Sequence, residues 1–218
     1  GDGNAWSVSM WVKPSSSTST QTLMVYGAGD DYNYGAITLK QQGGSSLVLN
    51  YGTVYDNIIL VAANAFTSGT WQHIMVTFNG GYTGSIPADA SVYYSKFNIY
   101  VDGVLQSPIG IATNGGYSGV ISGSDTSNNI FRFGRANNVH NNYYDGTMNQ
   151  VAIWDTDQSA NISTIYNSGA TQDLSSLTTA PSHYYEIETS VTTVSDIEGS
   201  ADLTGYNFTA SNLVTDTP

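Results

Sequence analysis

The chain has 218 residues, of which 17 are acidic and only 5 are basic, so its net charge is −12. A field of that sign repels phosphate backbones, which argues against nucleic acid as a partner. No apolar run approaches the ~18 residues that a membrane helix needs, so no membrane insertion is expected. Without cysteine the chain has neither disulfides nor thiolate metal sites.

Short segments of alternating apolar and polar residues follow one another from the N terminus. In the first of them, Trp6, Val8 and Met10 share one face, which is typical of a half-buried strand. Further strands are predicted at residues 23–26, 36–40, 47–51, 57–61, 71–78, 98–101, 104–106, 129–134 and 148–154. Asp102 and Gly103 predict a type I′ hairpin turn between two of these strands.

One helix is expected near residues 159–168. Ile162, Ile165 and Tyr166 fall at i, i+3 and i+4, Ser159 is a candidate N-cap, and Gly169 stands where a helix-ending glycine belongs. Many short strands with a single helix predict an all-β fold, a two-sheet antiparallel jelly-roll sandwich.

The sequence predicts a single domain over residues 1–218. Residues 183–187 look strand-like and residues 195–199 look like a turn, and no clear linker precedes them. This C-terminal stretch is expected to add strands to the same sandwich. The alternative is that it begins a following domain.

Three groups of segments carry a family resemblance: Trp6–Pro14, residues 70–80 with 97–105, and residues 131–169. In this order they resemble the laminin-G-like jelly rolls of the concanavalin A-like lectin/glucanase superfamily. That resemblance implies the fold rather than the ligand, because the superfamily hosts lectins, adhesins, hydrolases and capsid components.

The order of the segments also resembles a permuted version of that family. In most members a strand similar to residues 183–188, with a turn similar to residues 196–199, precedes the first segment, whereas here it follows. The chain therefore resembles a circular permutant or a piece cut from tandem repeats. The same layout, including NLVTDTP at residues 212–218, resembles virion proteins of marine tailed phages.

A calcium site is predicted at Asp30, Asp31 and Asn142. Calcium takes six to eight oxygen ligands, so adjacent carboxylates and amides on irregular loops suit it. Pentraxins, a calcium-dependent branch of the superfamily, place an acidic/amide pair and a ligating amide at similar positions. The loop of residues 137–142 supplies no carboxylate, and the alternative is that these side chains only cap loop backbone.

A carbohydrate site is predicted in the same two loops, which the fold is expected to bring to one edge. Aromatic faces and planar amides suit the C–H side and the hydroxyls of a sugar. The candidate ligand-binding residues are Tyr32, Tyr34, Asn138, His140, Asn141, Tyr143 and Tyr144. The alternative is that tyrosine-rich loops form a flat protein interface.

Hydrolysis is not expected. Glu186 and Glu188 would share a strand face, as glucanase carboxylates do, but no aspartate lies between them and no third glutamate follows. The sequence thus predicts a non-catalytic carbohydrate-binding or adhesion module on an extracellular or virion surface. Its expected partner is a glycan or host-surface polysaccharide. The alternative is a structural virion protein that contacts copies of itself or other virion proteins.

Overall fold

A computed structural model describes residues 4–16, 20–27, 36–43, 45–52, 56–81, 94–114, 130–135, 142–188, 192–206 and 208–218. The strands in these segments are, in chain order, β1 (Trp6–Pro14), β2 (Gln21–Gly27), β3 (Ala36–Gln42), β4 (Ser46–Gly52), β5 (Asp56–Ala62), β6 (Gln72–Phe78), β7 (Phe97–Val101), β8 (Val104–Leu105), β9 (Ile109–Asn114), β10 (Ile130–Phe133), β11 (Gly146–Trp154), β12 (His183–Tyr185), β13 (Thr193–Val194) and β14 (Leu203–Thr204).

Two antiparallel six-stranded sheets form the body of the molecule. The first sheet has the order β12-β11-β1-β6-β7-β8 and the second has the order β10-β2-β3-β4-β5-β9. A third sheet contains only the short pair β13 and β14. The predicted all-β jelly-roll sandwich is thereby confirmed.

The main core lies between the two large sheets. Alternation along β1 and β6 turns Val8, Met10, Ile74 and Val76 inward, where they meet inward residues of the second sheet such as Leu49. These side chains are at most 2% exposed. Burying each such side chain contributes about 1.5–3 kcal/mol before the entropy of ordering it is subtracted.

A second, smaller core covers the opposite face of the first sheet. Met75, Ala152 and Trp154 point to that face and pack against Ile165 of the helical segment and against Leu174, which begins a later 3₁₀ turn. The first sheet is therefore covered on both faces.

The helical segment departs from its prediction at both ends. The α-helix α1 is only Ile162–Tyr166, flanked by 3₁₀ turns at Ser159–Asn161 and Asn167–Gly169. Asn161, not Ser159, precedes α1, and it makes no capping side-chain bond. The left-handed residue that ends α1 is Asn167, at φ 48°, because an asparagine tolerates that conformation.

The predicted type I′ turn is present between β7 and β8. Asp102 and Gly103 both have positive φ, at 50° and 74°, as that turn requires. The ring of Tyr166 lies directly over Gly103. The turn and the helix are therefore packed together.

At the C terminus, β12 pairs with β11, so this strand belongs to the first sheet. The strand ends at Tyr185. Glu186 and Glu188 consequently do not share a strand face, contrary to the expectation above. The phenol of Tyr184 donates to Glu186 at 2.6 Å, and the side-chain amide Nδ2 of Asn149 donates to Glu188 at 3.4 Å.

Candidate functional site

Most of the side chains predicted to bind sugar or calcium lie outside the described residues. They are Asp30, Asp31, Tyr32, Tyr34, Asn138, His140 and Asn141. Asn142, Tyr143 and Tyr144 are described, and the strand ends that flank both loops are described as well.

The segment that contains Asn142 is fixed at the start of β2. The Thr22 amide donates to the Asn142 carbonyl at 3.1 Å, and the Asp145 amide donates to the Gln21 side chain at 2.7 Å. After β10, the Gly134 amide donates to the Leu23 carbonyl at 2.9 Å. The chain therefore leaves β10 and returns at Asn142 near the same end of β2.

The other predicted loop is attached to the opposite end of β2. Residues 28–35 connect Gly27, the last residue of β2, to Ala36 at the start of β3. Thr22 and Gly27 are five residues apart on an extended strand, which corresponds to about 16 Å. The anchors of the two loops thus lie at opposite ends of β2 rather than at one edge, because β10 runs antiparallel to β2.

Two of the predicted sugar-binding tyrosines differ in their surroundings. Tyr143 is 47% exposed. Tyr144 packs against the main core, its hydroxyl donates to the Thr147 carbonyl at 3.3 Å, and burial raises its pKa. Tyr144 is therefore held in place by its packing and its hydrogen bond, and its role in sugar binding stays a prediction.

A different surface collects polar groups, namely the face of the second sheet that points away from the core. Leu39, Leu49 and Leu60 point inward, so alternation sends Thr38, Asn50 and Ile59 outward in one row across β3, β4 and β5. Two further outward side chains join this surface. Arg132 of β10 extends the row through its pairing with Val25, and Lys40 lies two residues beyond Thr38. We call these five residues, Thr38, Lys40, Asn50, Ile59 and Arg132, the outer face.

The outer face is basic in an acidic protein. Lys40 and Arg132 are two of the five basic residues of the chain. Asp56 is the only acidic residue in the six strands of this sheet. It lies at the far end of β5, five residues from Val61 in the row of Lys40.

The hydrogen-bonding capacity of the outer face is incompletely used. Arg132 Nη1 and Asn50 Oδ1 are buried atoms without a hydrogen-bond partner. Burial also lowers the pKa of Lys40, since loss of water disfavours the ammonium. A buried polar atom left unpaired costs about 1–3 kcal/mol. Donors from Arg132 and Lys40 together with an acceptor from Asn50 suit hydroxyl and carboxylate groups.

The outer-face residues were not predicted from the sequence, although the sequence contains part of their signal. Alternation in residues 36–40 already assigns Thr38 and Lys40 to one face of a strand. What it could not supply is the strand order, which places Arg132 of β10 beside β2 although about 90 residues separate Arg132 and Lys40 along the chain.

A second polar cluster lies at the C-terminal end of the first sheet. The buried carboxylate of Asp196 accepts from His183 Nδ1 at 2.6 Å and from the amides of Tyr184, Gly199 and Ala201 at 3.0–3.1 Å. Burial alone would raise the pKa of Asp196, but these donors outweigh it and hold the pKa below its ordinary value. With both of its oxygens paired, the Asp196 carboxylate joins β12 to the turn that follows it.

The described residues contain no group of three or more histidine or acidic side chains that could hold a metal. Of the predicted calcium ligands only Asn142 is among them, and its exposed side chain supplies one oxygen where calcium needs six to eight. In the described part of the chain, no helix has the length and apolar character needed to cross a membrane.

Comparison with known families gives a match over residues 1–161 to a model described as concanavalin A-like lectin/glucanases superfamily. The chain belongs to this superfamily. No curated protein matches the chain. The resemblance seen in the sequence is thus confirmed.

Solved structures share the fold at low sequence identity. A protein from Bacteroides ovatus described as a candidate carbohydrate binding protein has a TM-score of 0.56 and 14% identity, over 89% of this chain and 50% of its own. The Ruminococcus gnavus IT-sialidase CBM40 bound to α2,3-sialyllactose has a TM-score of 0.52 and 11% identity, over 77% of this chain and 83% of its own. This chain therefore spans half the length of the Bacteroides protein.

Proposed function

We propose that this chain is a non-catalytic carbohydrate-binding module and that sugar binds on the outer face of the second sheet. One observation carries the proposal: Arg132 Nη1 and Asn50 Oδ1, a donor and an acceptor, are both unpaired on the same face of one sheet. Membership of a lectin/glucanase superfamily and the sialyllactose bound by the Ruminococcus relative support it.

Strands β2, β3, β4 and β10 hold the polar side chains at fixed spacings, so little ordering entropy is lost when a sugar binds. Ile59 and Val61 are half-buried and offer apolar contact to the C–H side of a sugar ring. Amide, guanidinium and ammonium groups then pair with its hydroxyls, and no bond is broken.

The setting that suits this activity is an extracellular or virion surface, where a glycan of a host or of a neighbouring surface is within reach. A single carbohydrate site on an exposed sheet face is expected to bind weakly. Several copies displayed together would have a higher overall affinity because of their effective concentration.

A glycan microarray tests the proposal directly. Labelled wild-type chain is expected to retain a defined set of glycans, and Arg132→Gln together with Asn50→Ala is expected to lose them. Lys13→Gln is the matched control, because Lys13 lies on β1 and pairs with Asp216. The absence of binding to any glycan, or equal binding by the double variant, would contradict the proposal.

A second candidate function, a structural module of a virion or other surface assembly, has a specific observation in its favour. Val104, Leu105 and Ile109 are 54–67% exposed and lie on β8 and at the start of β9, the edge strands of the two large sheets. Apolar side chains on unpaired edges suit contact with a second copy of the chain. Light scattering after size-exclusion chromatography tests it: a stable oligomer that Val104→Lys with Ile109→Lys dissolves would support this role, and a monomer at 100 μM would exclude it.

A further inference from the structure

We infer that the outer face takes an acidic sugar, one that carries a carboxylate, in preference to a neutral one. This inference rests on the proposed function, because it names the ligand class of the same surface. It depends on which of the five basic side chains already have a partner within the protein.

Three of the five basic residues already have partners. Lys13 pairs with Asp216, Lys96 donates to the Gly80 carbonyl at 2.9 Å, and the guanidinium of Arg135 lies 4.6 Å from the ring centroid of Tyr206. The remaining two, Lys40 and Arg132, make no ion pair within the described residues, although the chain has 17 acidic residues.

Both remaining cations are partly withdrawn from water. Arg132 is half-buried and its Nη1 atom is fully shielded and unpaired. Lys40 is half-buried, and burial lowers its pKa. A neutral hydroxyl would complete the hydrogen bonds but leave the charges uncompensated, whereas a carboxylate satisfies both requirements and pairs with a guanidinium through two parallel bonds.

The spacing of the two cations fits a small oligosaccharide. Arg132 and Lys40 are separated by two strand spacings and two residues, which corresponds to about 12 Å between their Cα atoms. Their long side chains can contact one acidic sugar together, or an acidic sugar and its neighbour.

The net charge of −12 does not oppose this choice at contact distance. Repulsion from distant exposed carboxylates is screened over about 8 Å at physiological ionic strength. Among the described strand residues of this sheet, Lys40 and Arg132 supply the charges of the outer face, and their attraction acts at contact distance.

Titration calorimetry with pairs of acidic and neutral ligands tests the inference. The probes are oligogalacturonate and its methyl ester, and α2,3-sialyllactose and its methyl ester, so that the members of each pair differ only in whether the carboxylates are charged. At least one acidic member is expected to bind tenfold or more tightly than its neutral counterpart. Arg132→Gln and Lys40→Gln are each expected to reduce that preference at least fivefold, and Lys13→Gln is expected to leave it unchanged.

The outcomes separate the two claims. Equal affinity for acidic and neutral members, or an acidic preference that survives both substitutions, would overturn the inference while leaving sugar binding intact. No binding of any probe and no retention on the microarray would overturn both claims. A thermal melt of each variant confirms folding, and Lys40→Gln serves alone if Arg132→Gln does not fold.

Discussion

Ser9 on β1 and His73 on β6 form a hydrogen bond inside the protein. Ser9 Oγ lies 2.7 Å from His73 Nε2, and each residue is 1% exposed. The other ring nitrogen of His73 has no partner. Burial lowers the pKa of His73 to about 4, so the ring is neutral in the folded protein at ordinary pH. A serine–histidine pair that is closed to solvent has a structural role and cannot act as a nucleophile and base.

This pair predicts acid sensitivity. Unfolded His73 binds a proton near pH 6.5, whereas folded His73 stays neutral down to about pH 4. The free energy of unfolding should therefore fall as pH decreases from about 6.5 to about 4, by about 3 kcal/mol from this residue. Urea denaturation at pH steps between 4 and 8 measures it, and His73→Gln should remove most of that slope.

The control is Ser9→Ala, which deletes the hydrogen bond but keeps a titratable, buried ring. It should lower stability at every pH by about 1–2 kcal/mol and preserve the slope, because burial and not the serine shifts the pKa. A slope that is unchanged in His73→Gln would assign the acid sensitivity to other groups.

Asp196 is predicted to stabilise the C-terminal end of the first sheet. One of its oxygens accepts from the amides of Tyr184 and Gly199, and the other accepts from His183 and the Ala201 amide. Asp196→Asn points an NH₂ group at two donors, so a loss on the order of 2 kcal/mol in the free energy of unfolding is expected. Chemical denaturation at pH 7 provides the measurement.

Asp216→Asn is the comparison for that variant. Asp216 is exposed and its partner Lys13 is partly exposed, so this substitution should not change stability measurably. Equal effects of the two substitutions would mean that the Asp196 hydrogen bonds do not stabilise the fold.

A side chain at Gly103 is predicted to destabilise the protein because it would collide with Tyr166. Gly69, which has a similar φ but open space around it, separates this collision from backbone strain. An added Cβ at Gly103 would lie 2.7 Å from the Tyr166 ring, whereas at Gly69, which has nearly the same φ, it would meet no atom within 4 Å. Gly103→Ala should lower the melting temperature more than Gly69→Ala, by the cost of displacing Tyr166. Similar losses would show that backbone strain alone accounts for both.

Much of the fold could be predicted from the sequence because alternation is a local property. The strand of residues 71–78 and the Asp102–Gly103 turn were confirmed nearly to the residue. Strand β9 was missed, since Gly110 interrupts an otherwise apolar run. The end of β12 was misjudged because Tyr184, Glu186 and Asn149 complete a hydrogen-bond network that no local pattern reveals.

The site was harder to predict because it depends on strand order. The Asp, Asn and Tyr residues of two loops predicted a single site, because their side chains suit sugar and calcium. The flanking strands, however, anchor the two loops at opposite ends of β2. Lys40 and Arg132 belong to no recognisable sequence motif. They become a candidate site only because β10, β2 and β3 are neighbours in the second sheet.

Calcium binding at Asp30, Asp31 and Asn142 stays a prediction of the sequence. If it holds, millimolar calcium should raise the melting temperature relative to EDTA, since a ligand at a hundred times its dissociation constant adds about 2.7 kcal/mol. Asp30→Ala with Asp31→Ala should abolish the rise, and Glu198→Gln, an exposed acid elsewhere, should not. The same melting temperature in calcium and EDTA would contradict the predicted calcium site.

The most direct test of the central claim maps the sugar onto the protein. The measurement is an ¹⁵N–¹H NMR titration with a glycan that the microarray selects. Amide shifts centred on Thr38, Lys40, Asn50 and Arg132 are predicted, because these residues lie on one face of adjoining strands. Shifts centred instead on Tyr143 or on Val104 and Leu105 of β8, which lies in the other sheet, would contradict the assignment of the outer face as the binding surface.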